Sequence, residues 1–257
     1  MFLSLISGSS GNASLIKNEH TTILIDCGLS AKRLTEMLAN LDISANDIDA
    51  ILITHEHTDH ITGAGVMSRR FDIPIYATKD THLAMNIGPI KDYNIKVVDN
   101  DSTFEIGNIG ISPFSISHDA LDPVGYSFYE DNTKYSIVTD TGIITDSIMK
   151  NVLGSDYVML EANHDIDMLM YGEYPFKLKK RISSDIGHMS NDYASEAAIK
   201  LLENNTKSIM LSHLSNNNNT PDIAYKTVEG KLTAYGAKVG SDINLCVANR
   251  YEVTKFI

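Results

Sequence analysis

The sequence predicts an α/β protein in which two β-sheets pack face to face with helices on their outer sides. Three observations predict it. Strand-like and helix-like segments are interleaved in both halves of the chain. Each half runs from strands through a ligand-bearing loop to a helix. The residues best suited to chemistry fall at strand ends, where loops along one sheet edge build active sites. This order fits two packed sheets better than one doubly wound sheet.

In chain order, apolar runs rich in Ile, Val, Phe and Tyr and bounded by Gly, Asp, Asn or Pro predict strands over 2–7, 22–26, 50–54, 73–77, 95–98, 104–106, 109–117 and 124–129. Later strands are expected over 135–139, 157–160, 208–211 and 243–248. Apolar residues recurring at helical spacing predict helices over 31–40, 63–71, 81–86, 145–151, 192–203 and 222–235. Ser190 is the expected N-cap of the fifth helix, and Pro221 is placed to open the last.

Composition bounds the reading. Hydrophobic residues make up 43% and charged residues 21% of 257, as in a globular protein with a large core. No compositional break divides the chain, so a single domain over 1–257 is expected. Cys27 and Cys246 are too few for a disulfide framework, which fits a reducing cytoplasm, and Cys27 reads as a small buried hydrophobe. No secretory leader and no membrane-spanning run is evident. The net charge of −12 argues against a broadly basic nucleic-acid surface.

The run His55-Glu56-His57-Thr58-Asp59-His60 follows the apolar stretch 51–54. Imidazoles suit zinc, iron or manganese, and carboxylates add oxygen donors. In extended chain, residues i and i+2 point the same way, so His55 and His57 grip one metal. Asp59 and His60, past a turn, face a second. His118, Asp140 (in Thr139-Asp140-Thr141-Gly142) and His213 each end another strand.

The motif His-x-His-x-Asp-His, followed by a strand-end His, a strand-end Asp-Thr-Gly and a late strand-end His, resembles the metallo-β-lactamase superfamily over the whole chain. Within it, the chain looks like the YycJ/WalJ group. That likeness is carried by Ser7-Gly8-Ser9-Ser10-Gly11-Asn12, Glu161-Ala162-Asn163-His164-Asp165, Gly187-His188-Met189-Ser190-Asn191 and Ser212-His213-Leu214-Ser215. Met189 stands where the group usually has Leu or Val. The resemblance implies a four-layer αβ/βα sandwich with two divalent metal ions at one edge. His55, His57 and His118 would hold the first and Asp59, His60 and His213 the second, with Asp140 bridging. It also implies a 5′–3′ DNA exonuclease linked to DNA repair, specifically mismatch repair.

Two metals about 3.5–4 Å apart share one hydroxide and lower the pKa of water toward 7, so the expected nucleophile is metal-bound hydroxide. Nitrogen-rich ligation suits zinc; the two Asp permit manganese or iron. Asp59 is counted as catalytic as well as ligating. Asp26, ending the second strand, is expected to orient a ligand from behind, and Glu56 to point away. His188 and Ser190, at a helix start, are expected to bind substrate phosphate, with His164 or His188 protonating the leaving group. Ser9, Ser10 and Asn12 belong to a Gly/Ser loop suited to close approach by phosphate. The run Lys177-Leu178-Lys179-Lys180-Arg181 is either a solvated loop or a patch for nucleic-acid phosphates. Tyr171, Tyr174 and Phe176 ahead of it are either stacking partners for bases or core. His20 and His82 read as surface or structural.

The leading expectation is therefore a dinuclear phosphodiesterase acting on DNA. A small-molecule, for example cyclic, phosphodiesterase suits the acidic balance. A thioesterase-type hydrolase or a non-catalytic binder are weaker alternatives.

Overall fold

The computed structural model describes residues 1–100 and 102–256. The first sheet contains β1 (Phe2–Ile6), β2 (Ala13–Lys17), β3 (Thr22–Ile25), β4 (Ala50–Leu52), β5 (Ile75–Ala77) and β6 (Ile95–Val97) side by side in chain order. The second contains β7 (Phe104–Ile106), β8 (Ile109–Ser115), β9 (Val124–Glu130), β10 (Thr133–Val138), β11 (Tyr157–Glu161), β12 (Ser208–Ser212) and β13 (Asn244–Val247), again in order. The short strand β14 (Thr254–Lys255) returns to pair antiparallel with β1. Both sheets switch in the same way. Pairing is antiparallel through β3 and β10, and parallel from there to β6 and β13.

Strand residues are apolar on both faces because both faces are covered. Ile23, Ile25, Ala50 and Leu52 meet Tyr126, Phe128, Met159 and Met210 in the core between the sheets. The alternating positions Leu24 and Ile51 face outward, onto α1 (Ala31–Ala39) and α3 (Ala64–Phe71) through Leu34, Leu38 and Met67. On the second sheet, Val158, Leu160, Ile209 and Leu211 face α5 (Asp146–Val152), α8 (Asn191–Glu203) and α9 (Pro221–Tyr235). The result is helix, sheet, sheet, helix, as the sequence predicts. Among the described residues, no helix is long and apolar enough to cross a membrane.

The predicted strands and helices all appear, α4 (Lys79–Ala84) included, with ends shifted by a few residues. Ser190 Oγ accepts from Tyr193 N to cap α8, and Pro221 stands at the first turn of α9 behind the Thr220 cap. Sequence reasoning misses β2, β14, the single turn α2 (Thr58–Ile61), α6 (Ile166–Tyr171) and α7 (Phe176–Ile182). β2 is only five residues, and its Ala and Ser dilute the apolar signal. Each missed helix is shorter than two turns, too short to show a period. The Lys/Arg run 177–181 lies within α7, which overturns the loop reading and leaves the patch reading open.

Three loops are drawn together behind α2. Asn12 N donates to Asp59 O (2.8 Å), Cys27 N to His60 O (2.7 Å) and Gly28 N to Asn12 O (2.8 Å). Gly28 makes this possible, since a Cβ there would lie 1.7 Å from Asp59 O and 2.4 Å from Asn12 N. Gly28→Ala should therefore destabilise the fold by about 1–3 kcal/mol, the usual cost of forcing extra volume into packed structure. Urea unfolding reads this as a lower midpoint, and an unchanged midpoint would mean the loops are free to separate.

Candidate metal centre

The seven ligand candidates converge where the C-terminal ends of β4, β8, β10 and β12 meet. His55 Nε2 lies 3.1 Å from His57 Nδ1, which lies 3.2 Å from His118 Nε2. A second group joins Asp59, His60 and His213, with Asp59 Oδ2 3.6 Å from both His60 Nε2 and His213 Nε2. Asp140 lies between the groups. Its Oδ2 is 3.3 Å from His60 Nε2, and its Oδ1 is 3.3 Å from His213 Nε2 and 3.9 Å from His118 Nε2.

The imidazoles are fixed from behind. His60 Nδ1 donates to Asp26 Oδ2 (2.8 Å), and His213 Nδ1 to Glu161 Oε1 (2.9 Å). His118 Nδ1 donates to the Gly187 carbonyl (3.2 Å), and His55 Nδ1 pairs with Thr54 Oγ1 (3.0 Å). In all four rings Nε2 is thus the atom presented to the centre. The Asp26 carboxylate also accepts from Thr54 N (2.9 Å) and Thr54 Oγ1.

Asp26, Asp140 and His213 all adopt left-handed backbone, with φ of 59°, 58° and 54°. Such angles are costly for side-chain-bearing residues, and here they turn each side chain sharply off its strand end. His213 N is additionally held by Ser7 Oγ (2.8 Å) across 206 residues of sequence.

The electrostatics favour a cation. Burial, then neighbouring imidazoles, hold His55 well below the usual histidine range, so its ring is neutral. Burial also lowers His118, partly offset by Asp140. Burial opposes charge on His60, yet the carboxylates of Asp140, Asp26 and Asp59 raise it to about 9. His213 is likewise raised against its burial by Asp140, Asp59 and Glu161. Asp59 and Glu161 are held low despite burial, by His60 and His213 for the first and His188 and His213 for the second.

The residues fit a divalent cation. Asp140 Oδ2 and His213 Nε2 are buried with no hydrogen-bond partner, and they face the same space. Buried polar atoms rarely go unpaired, and three imidazole nitrogens at mutual contact with carboxylates beside them are completed by a metal.

The other predicted residues are distributed around this centre. A cleft of about 380 Å³ opens onto it, lined by Ser9, His57, Asp59, Arg181 and His188 among others. Ser10 is exposed and is not part of the cleft lining. Asn12, expected at the substrate, is buried against the ligands themselves, on the Nε2 side of His60. Its Oδ1 accepts from Gly8 N (2.9 Å), and its Nδ2 lies 3.0 Å from His60 Nε2 and 3.3 Å from Asp59 Oδ2. Glu56 accepts from Leu121 N (2.9 Å), so it braces the loop after β8.

His188 Nδ1 bonds Glu161 Oε1 (2.8 Å). His188 also lines a second, adjoining cavity of about 200 Å³ with His164, Ser190, Leu169, Met170 and Tyr193. His164 is buried there, and burial pushes it down to about 4. Cys27 is buried, as expected for a small hydrophobe.

Sequence reasoning assigned no role to Glu161 or Thr54. Glu161 carried a usable signal, a carboxylate ending an apolar strand as Asp140 does. Its partners, His188 and His213, are 27 and 52 residues away, which spacing alone does not reveal.

Fold and site together define a metal-dependent hydrolase built on an αβ/βα sandwich. Residues 21–213 match the β-lactamase superfamily domain model, and the chain belongs to the metallo-β-lactamase superfamily, within its WalJ/YycJ group. It is 40% identical over 245 residues to the exodeoxyribonuclease WalJ of Streptococcus pneumoniae, covering 94% of this chain and 91% of that one. It is 38% identical over 244 residues to the exodeoxyribonuclease YycJ of Bacillus anthracis, covering 93% and 91%. Among solved structures, the metallo-β-lactamase fold protein YhfI of Bacillus subtilis superposes with a TM-score of 0.73 at 16% identity over 98% of both chains. The short form of human tRNase Z gives 0.67 at 18% identity over all of both chains.

Two predictions follow from the supports. Asp26→Asn and Glu161→Gln should each weaken metal binding about 10–100-fold, as loss of a ligand's hydrogen-bond partner does. Equilibrium dialysis with metal analysis measures this, and full retention by both variants would contradict it. The second concerns acid stability. His164 is depressed to about 4 in the fold, against about 6.5 unfolded, so the unfolded chain takes up its proton first as pH falls. Its contribution is present above about pH 6.5 and is lost toward pH 4, by up to about 3 kcal/mol. Urea titrations of His164→Asn should show a shallower decline across that window than wild type.

Proposed function

We propose that the protein is a dinuclear phosphodiesterase that degrades DNA from a 5′ end. The convergence of His55, His57, Asp59, His60, His118, Asp140 and His213 on one cleft carries the chemistry. The deoxyribonuclease names of relatives matched along nearly the whole chain support the substrate. In this reading His55, His57 and His118 hold one ion and Asp59, His60 and His213 the other, with Asp140 shared. Nitrogen-rich ligation suits zinc, and the two Asp admit manganese or iron. Such ions, when bound, supply Lewis-acid charge to phosphoryl oxygens and make water acidic near neutral pH.

The protein's own groups do the rest. Ser9 borders the cleft and meets substrate oxygens there. Ser190, at the start of α8, lines the adjoining cavity with His188 and binds phosphate there. His188 gives its proton to the leaving oxygen. Its Nδ1 is occupied by Glu161, which leaves Nε2 for that transfer. His164 is the weaker candidate because it is neutral at pH 7. A repair role in the cytoplasm is consistent with this reading.

The test is cleavage of 5′-labelled and 3′-labelled duplex DNA by metal-loaded protein. Mononucleotides should leave the 5′ end with wild type, and Asp59→Ala and His60→Ala should abolish this. His188→Ala should retain metal and lose about 10²–10⁴-fold in turnover, the range for a general acid. Intact DNA together with rapid hydrolysis of bis-p-nitrophenyl phosphate would move the assignment to a small phosphodiester.

A further inference from the structure

The surface of α6 and α7 beside the centre is unlike the rest of this acidic chain. Tyr171 is 88% exposed, Phe176 78% and Met170 53%. The alternative that these aromatics are core is thereby removed for Tyr171 and Phe176. Residues 166–182 carry four cations against two acids, in a chain of net charge −12. On α7, Phe176, Lys177, Lys180 and Arg181 are all exposed, while Ile182 is buried. Positions i, i+1, i+4 and i+5 share one helix face, so aromatic and cationic groups form one stripe. Lys177 and Lys180 make no ion pair among the described residues.

The stripe is held to the centre rather than hanging free. Lys179 Nζ donates to Met170 O (2.8 Å), tying α7 to α6. Arg181 forms a two-point pair with Asp119, next to His118, through Nε (2.5 Å) and Nη2 (3.0 Å). Arg181 itself borders the metal cleft, and Met170 borders the adjoining cavity that contains His188.

We propose that the α6–α7 surface binds a single-stranded stretch of nucleic acid, with bases against Tyr171 and Phe176 and phosphates against Lys177 and Lys180. This rests on the reading of the protein as a nuclease. Flat, accessible aromatic faces take bases only where those bases are unstacked, and interleaved cations track the backbone between them. A duplex keeps its bases inside and offers only phosphates. The site therefore distinguishes strand type at a distance from the scissile bond, a task the metal ligands do not perform.

The test is fluorescence anisotropy of a labelled, nuclease-resistant phosphorothioate oligothymidylate with metal-loaded, full-length protein. Metal content and circular dichroism serve as checks that each variant is folded. The paired substitution Tyr171→Ala and Phe176→Ala should weaken binding about tenfold or more, from two lost stacking contacts. Lys177→Gln with Lys180→Gln should lower the slope of log affinity against log salt by about 1.4, for two phosphate contacts to a single strand. Affinity and slope equal to wild type in both variants would overturn the proposal. So would an equal loss of affinity for a blunt duplex of the same length. Wild-type hydrolysis of bis-p-nitrophenyl phosphate, measured in parallel, reports on the phosphodiesterase reading separately. Its failure would sink that reading without altering the binding comparison.

Discussion

Fixing four of the five ligand imidazoles from the far side is the constraint on which the rest of the site depends. A histidine free to rotate or change tautomer offers a cation either nitrogen, or neither. Here Asp26, Glu161, Thr54 and the Gly187 carbonyl settle the matter for His60, His213, His55 and His118. The cost is burial of carboxylates in the protein interior, which only close pairing makes tolerable. Asp26 satisfies that condition with donors from Thr54 as well as His60, and Glu161 with donors from Thr141 N, His188 and His213. The outer supports and the inner ligands are thus one electrostatic unit.

The fold explains why such a unit arises here. Each sheet changes from antiparallel to parallel pairing near its middle, so several strands deliver their C-terminal ends to the same edge. Packing the sheets face to face brings the two edges together. Left-handed backbone at Asp26, Asp140 and His213 then turns side chains into the shared seam instead of continuing along the strand. Strain at these positions is compensated by the rigid cores on either side of each sheet.

Much of this was legible in the sequence, for definite reasons. Strands covered on both faces leave continuous apolar runs, and long helices leave a period, so the four layers could be read. His55 to His60 announce themselves by density, and His118, Asp140 and His213 by ending apolar runs. That Asn12 is buried against His60 and Asp59 is not legible, because a Gly/Ser loop does not reveal which of its side chains turns inward. α6 and α7 were missed because helices of six and seven residues are shorter than the window a period needs. Glu161 carried no role because its function is to orient residues distant in sequence. Exposure was equally invisible: Tyr171 and Phe176 look like core until the backbone is in place.

The bond from His213 N to Ser7 Oγ has a consequence for synthesis. The centre draws on the first strand's end and on a residue 206 positions later, so it closes only after most of the chain has left the ribosome. Until then the cluster from His55 to His60 exists as an incomplete, electron-rich chelate in a growing chain. Contacts this distant in sequence are reached late and slowly. Metal uptake is thereby coupled to completion of the second sheet, and the finished ligand set is itself a signature that both halves have folded.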